Sequence, residues 1–137
     1  MPVCSTKDWT IDLITGSGAV IASPVFTNIT ITGGNISGDV YLPNGTRISG
    51  LAGQCVPLTG LPDTAAVTFR FRLRDAGSEI GMLMSGVGFL PPGQTYAEFS
   101  GTWIAHPPVA DTPAADQIAQ LVLPGSGDTG TGTGMQT

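Results

Sequence analysis

The strictest alternation in the chain runs from Ala65 to Arg74. Val67, Phe69, Phe71 and Leu73 occupy one set of positions, and Thr68, Arg70, Arg72 and Arg74 the other. A period of two with β-branched and aromatic residues predicts a half-buried strand. Asp75-Ala76-Gly77-Ser78 reads as the turn that follows. Upstream, Phe26 to Thr32 alternates Ile29 and Ile31 with polar residues, and Gly33-Gly34 suits a tight hairpin turn. Ile36 to Leu42 is the returning strand. Pro43-Asn44-Gly45 is a second turn, and Thr46 to Leu51 runs back.

Downstream, Ile80 to Leu90 is apolar with interspersed glycines, which suggest bends or close backbone approach. After Pro91-Pro92-Gly93-Gln94, the segment Thr95 to Ala105 puts Ala97, Phe99, Gly101, Trp103 and Ala105 on one face. Trp9 to Ile14 and Ala19 to Ile21 complete the predicted strands around a Gly16-Ser17-Gly18 turn. Short strands at close spacing, joined by turns, are the pattern of an antiparallel meander. The expected fold class is all-β, a small barrel or sandwich over residues 1–108. Residues 109–123 are expected to be a linker with a short helix over Asp111 to Leu123, capped by Thr112 with Pro113 at its first position. Residues 124–137 alternate Gly with Thr and Ser and offer nothing to bury, so a flexible tail is expected there.

Composition sharpens this picture. Among 137 residues, Gly (20) and Pro (11) disfavour long helices, and 41% hydrophobic residues suffice for a core. Only 11% of residues are charged, which argues against a disordered chain. Five Lys and Arg against ten Asp and Glu give a net charge of −5 and make free nucleic acid a poor partner. No apolar run reaches the roughly 20 residues of a membrane helix. No basic and apolar leader is visible at the N-terminus, so a product made in the cytosol is expected.

Candidate chemistry is sparse. His106 is the single histidine, with two prolines after it and no nucleophile motif beside it, so no catalytic residue is assigned. No cluster has metal-ligand spacing, and no cofactor is expected. Asp39, Glu79 and Glu98 lie near strands, but nothing in the sequence selects a carboxylate pair from them. Asp8 and Asp12 are discounted because their stretch reads as strand. Arg70, Arg72 and Arg74 hold three of the five positive charges in a row, about 7 Å apart along one strand face. Such a row suits an anion, an acidic partner or another copy of this acidic protein; it equally suits a solvated outward face. Phe69, Phe71, Phe99 and Trp103 could line a ligand cavity, although core packing is the commoner use. Cys4 and Cys55 are a candidate disulfide; two buried thiols are favoured for a cytosolic product. All three asparagines, Asn28, Asn35 and Asn44, open glycosylation sequons, and turn formation explains them better.

The segment from Phe26 to Val40, Phe-Thr-Asn-Ile-Thr-Ile-Thr-Gly-Gly-Asn-Ile-Ser-Gly-Asp-Val, resembles the Gly/Thr/Asn-rich hairpins of bacteriophage structural proteins. That resemblance implies a virion component, a capsid-decoration or tail/fibre protein. Its partners would be itself and other structural proteins, as a homo-oligomer with no membrane and no chemistry. The strand order from Ile29 to Ala105 is similar in spacing to the avidin-like barrel. Ile36 to Tyr41 and Phe99 to Trp103 resemble its Gly-x-Tyr and Gly-x-Trp strands. This second resemblance implies a barrel and, as an alternative function, small-ligand binding. The polar residues that grip biotin's ureido group have no match here, so biotin itself is not implied.

Overall fold

A computed structural model describes residues 3–74, 78–108 and 123–137. Nine strands are present among them: β1 (Trp9–Thr15), β2 (Val20–Ala22), β3 (Val25–Thr32), β4 (Asn35–Tyr41), β5 (Arg47–Pro57), β6 (Thr64–Arg74), β7 (Glu79–Phe89), β8 (Glu98–His106) and β9 (Thr129–Gln136). Each pairs antiparallel with its neighbours in the order β2-β1-β3-β4-β5-β6-β7-β8-β9, and β9 returns to pair with β1. The sheet is therefore closed. Both β2 and β3 lie against β1, β2 at Leu13–Ile14 and β3 at Trp9–Thr10. They act as one broken strand, so the barrel has eight staves. The break falls at Ser23-Pro24, where proline has no N–H to donate; its carbonyl still accepts the Ile11 N–H at 3.0 Å.

Closure needs curvature, and glycine supplies it on the inner face. Gly86 on β7, Gly101 on β8 and Gly132 on β9 are direct cross-strand neighbours. A methyl group on Gly86 would strike Gly101 Cα at 2.6 Å, and one on Gly101 would strike the Phe99 ring at 2.9 Å. The space left by these glycines is occupied by large side chains from neighbouring positions. Phe69 sits at the centre, with ring centroids 4.7 Å from Phe26, 5.5 Å from Phe99 and 6.1 Å from Trp9.

The tail expected to be flexible forms β9 over residues 129–136, so that expectation is corrected. Its Thr-Gly alternation is a strand pattern in which the inward side is glycine. Methyl groups on Gly130, Gly132 and Gly134 would collide with Trp103, Met84 and Ile11 respectively. The bulk that a hydrophobic strand normally brings is provided here by its neighbours. Residues 111–122 of the expected helix lie outside the described residues. Leu123, its last residue, packs against the core.

Both chain ends close one end of the barrel. Val3 is buried, and Cys4 is disulfide-bonded to Cys55 on β5. Gln136 is buried with its amide satisfied: Oε1 accepts the Ala97 N–H at 2.9 Å, and Nε2 donates to the Val3 carbonyl at 3.2 Å. No helix among the described residues is long and apolar enough to cross a membrane.

Candidate functional site

The inner and outer faces of the strands separate the sequence-derived candidates cleanly. Phe69, Phe71, Phe99 and Trp103 all point inward and are at most 2% exposed. Phe26 bridges Phe69 and Phe71, with its ring centroid 5.4 Å from the latter. The Trp103 indole N–H donates to the Ile14 carbonyl at 3.0 Å, across β9. Phe26, Phe69, Phe71 and Phe99 thus form a chain of ring contacts, Trp103 satisfies a backbone carbonyl, and the interior at the level of Phe69 is occupied by side chains. Met82 and Met84 are fully buried beside them.

The arginine row lies on the outer face of β6, as its alternation requires. Arg72 donates from Nη1 to Glu79 Oε2 on β7 at 3.2 Å. Its backbone N–H also donates to the Ser49 hydroxyl at 3.0 Å, which links β6 to the irregular start of β5. Arg70 and Arg72 are half-buried, and Arg74 is exposed at the strand end. The row therefore stands on the outer wall at one end of β6.

A second polar cluster on the outer wall was not visible in the sequence. Asn28 has φ 52°, in the left-handed region, where the β3–β4 register shifts. That twist directs its side-chain amide to Asp39 Oδ2 at 2.8 Å. Arg47 donates to Asp39 Oδ1 from Nη2 at 2.7 Å and from Nε at 3.1 Å. Hydrogen bonds from Asn28 and then Arg47 hold the Asp39 carboxyl below the usual carboxylate range. The signal for this cluster is long-range, since Asn28, Asp39 and Arg47 come from three strands. Asn44 has the turn role expected of it, its Oδ1 accepting the Thr46 N–H at 2.9 Å.

The remaining titratable candidates are dispersed. Asp39 is held by Arg47 and Glu79 by Arg72, on separate strands. Asp8 and Asp12 accept hydroxyl hydrogen bonds from Thr27 at 3.0 Å and Ser23 at 2.6 Å. The His106 ring lies over Gly81, and its Nδ1 is 2.8 Å from the Pro107 carbonyl oxygen. Among the described residues no group of three or more His, Cys, Asp and Glu is placed to hold a metal ion.

Comparison with family models, with curated proteins and with solved structures finds no match for this chain. What the barrel offers is its outside. Several large apolar side chains are exposed there at strand positions: Val56, Val87, Ile104 and Met135, each between 41% and 51%. They stand among threonines and serines on the outer faces of β5 and β7–β9.

Proposed function

We propose that this protein is a non-enzymatic structural or assembly protein, a virion component of the capsid-decoration or tail/fibre kind, acting through protein–protein contacts. The observation that carries this reading is the filled interior. Phe26, Phe69 and Phe99 meet ring to ring at the centre of the barrel, so its useful surface is the outer wall and the loops. A closed barrel has no free edges except short ones, which suits a module that must associate by chosen faces and not by strand addition. The Cys4–Cys55 disulfide fits a protein that works outside a reducing cytosol, and a virion surface is such a place.

Native mass spectrometry of the purified full-length chain tests the proposal. The expected spectrum shows a defined oligomer at an integer multiple of the 14.0 kDa chain, with no additional mass. A monomer at every concentration, or a reproducible adduct of a few hundred daltons, is the result that overturns it.

A further inference from the structure

The chain reaches its first strand by way of a segment that belongs to none. Residues 3–8 lie at the end of the barrel where β1 begins and β9 stops, and they join no ladder. Cys4 is bonded to Cys55 on β5, which stands three staves from β1 by way of β3 and β4. Val3 goes deeper and is 1% exposed. A Cβ on Gly88 would lie 2.5 Å from Val3 Cγ1 and 3.2 Å from Val67 Cγ2, so Val3 fills the space that this glycine leaves. Gln136 Nε2 donates to the Val3 carbonyl at 3.2 Å and to the Ser5 hydroxyl at 3.3 Å. Lys7 Nζ donates to the Thr95 carbonyl at 2.9 Å and lies 4.7 Å from the centre of the Tyr96 ring. The Asp8 carbonyl accepts the Thr137 N–H at 3.0 Å. The segment is thus a strap over one mouth of the barrel, tied to β5, to the end of β9 and to the approach to β8.

We infer that the strap is a redox latch: it covers the barrel mouth while Cys4 and Cys55 are bonded, and swings out when they are reduced, uncovering Val67 and Gly88. The inference goes beyond the assembly reading above and does not depend on it. Ordering a segment that joins no ladder costs backbone entropy at every residue. Against that cost the strap sets one buried apolar side chain and a few hydrogen bonds, each of modest net value because water would replace it. The disulfide tips the balance, since it holds Cys4 beside β5 and leaves only Ser5 to Lys7 to settle between two fixed ends. Once it is broken, nothing covalent holds the segment at the mouth. The barrel tolerates the departure. Gln136 Nε2 exchanges its strap acceptors for water, while Oε1 keeps the Ala97 N–H. The bond can be approached from one side, because Cys55 is 2% exposed whereas Cys4 is half-buried. A thiolate of a cellular dithiol attacks Cys4 Sγ, the S–S bond breaks, and Cys55 leaves as a thiolate that takes a proton. The second thiol of the reductant then displaces Cys4. Two electrons pass to the protein, which ends with two thiols, and the reductant ends as a disulfide. The strap is therefore open in a reducing cytosol, and it closes by the reverse exchange with a disulfide where the surroundings are oxidising.

The test is nitrogen-15 NMR relaxation of the full chain, oxidised and then reduced with dithiothreitol, with the two free thiols confirmed by mass after alkylation of a portion. The inference expects backbone order parameters of about 0.85 for residues 4–7 in the oxidised chain, falling below about 0.6 on reduction, with β6 and β7 unchanged. Removal of the reductant in air should restore the ordered strap. Cys4→Ser, with no reductant present, should show the mobile strap from the outset. A strap that stays ordered in the reduced chain and in Cys4→Ser overturns the latch, because Val3, Lys7 and Gln136 then hold it unaided. Loss of the dispersed spectrum on reduction also overturns it, because the bond is then a staple of the whole fold and not a latch on one segment.

Discussion

At the residue scale, the glycines of β9 and the carboxylate of Asp39 give the sharpest expectations. A methyl group on Gly134 would meet the Thr10 carbonyl and the Ile11 side chain, whereas one on Gly16 meets nothing within 4 Å. Backbone cannot move aside as a flexible side chain can. Gly134→Ala is expected to destabilise by about 1–3 kcal/mol, and Gly16→Ala to change stability by no more than ~0.5 kcal/mol. Urea denaturation of the two variants checks the contrast. Asp39 has its folded-state titration displaced downward by Asn28 and Arg47. Its ionised form thus contributes stability that is present above the ordinary carboxylate range and lost as pH falls through the folded-state value. The melting temperature of Asp39→Asn should lie below wild type at neutral pH, and the gap should close as pH drops below the ordinary carboxylate range. A gap that is constant with pH would show that the charge of Asp39 is not the cause.

At the scale of elements, the sequence was readable where hydrophobic period and turn chemistry agree. Val67, Phe69, Phe71 and Leu73 point inward along β6 as their alternation predicts. Gly33 and Gly34, both with positive φ, make the β3–β4 turn as expected from their tolerance of that region. What stayed hidden was β9. Its inward residues are glycines, so a search for apolar period finds nothing, and only the partners Trp103, Met84 and Ile11 reveal why glycine fits there. Arg70, Arg72 and Arg74 were readable as an outward row, but the row's meaning depends on what lies level with it on β7 and β8. The disulfide was readable only as one of two alternatives, with buried thiols favoured; the pairing of Cys4 with Cys55 is set by where the N-terminal segment lies against β5. Closing a sequence separation of 51 residues removes unfolded-state entropy worth about 4 kcal/mol in the chain-entropy model. Reduction, or Cys4→Ala with Cys55→Ala, should lower the denaturation midpoint accordingly without changing the far-ultraviolet spectrum. An unchanged midpoint would show that the N-terminal segment is held by Val3 and Gln136 alone.

At the scale of the whole molecule, the chain divides its labour between two faces of one sheet. The inside is filled by aromatic and aliphatic side chains over glycine, and the ends are tied by Gln136 and the disulfide. The outside carries the ion pairs of Arg72 with Glu79 and of Arg47 with Asp39, and the half-exposed Val56, Val87, Ile104 and Met135. On this account the interior serves stability, and association belongs to the outer wall. Methyl NMR spectra across a dilution series separate the two directly. The account predicts that the outward Val56, Val87 and Ile104 shift with concentration, while Leu13, Met82 and Met84 stay fixed. Signals that all hold still over the series, or interior methyls that move while the wall does not, would contradict it.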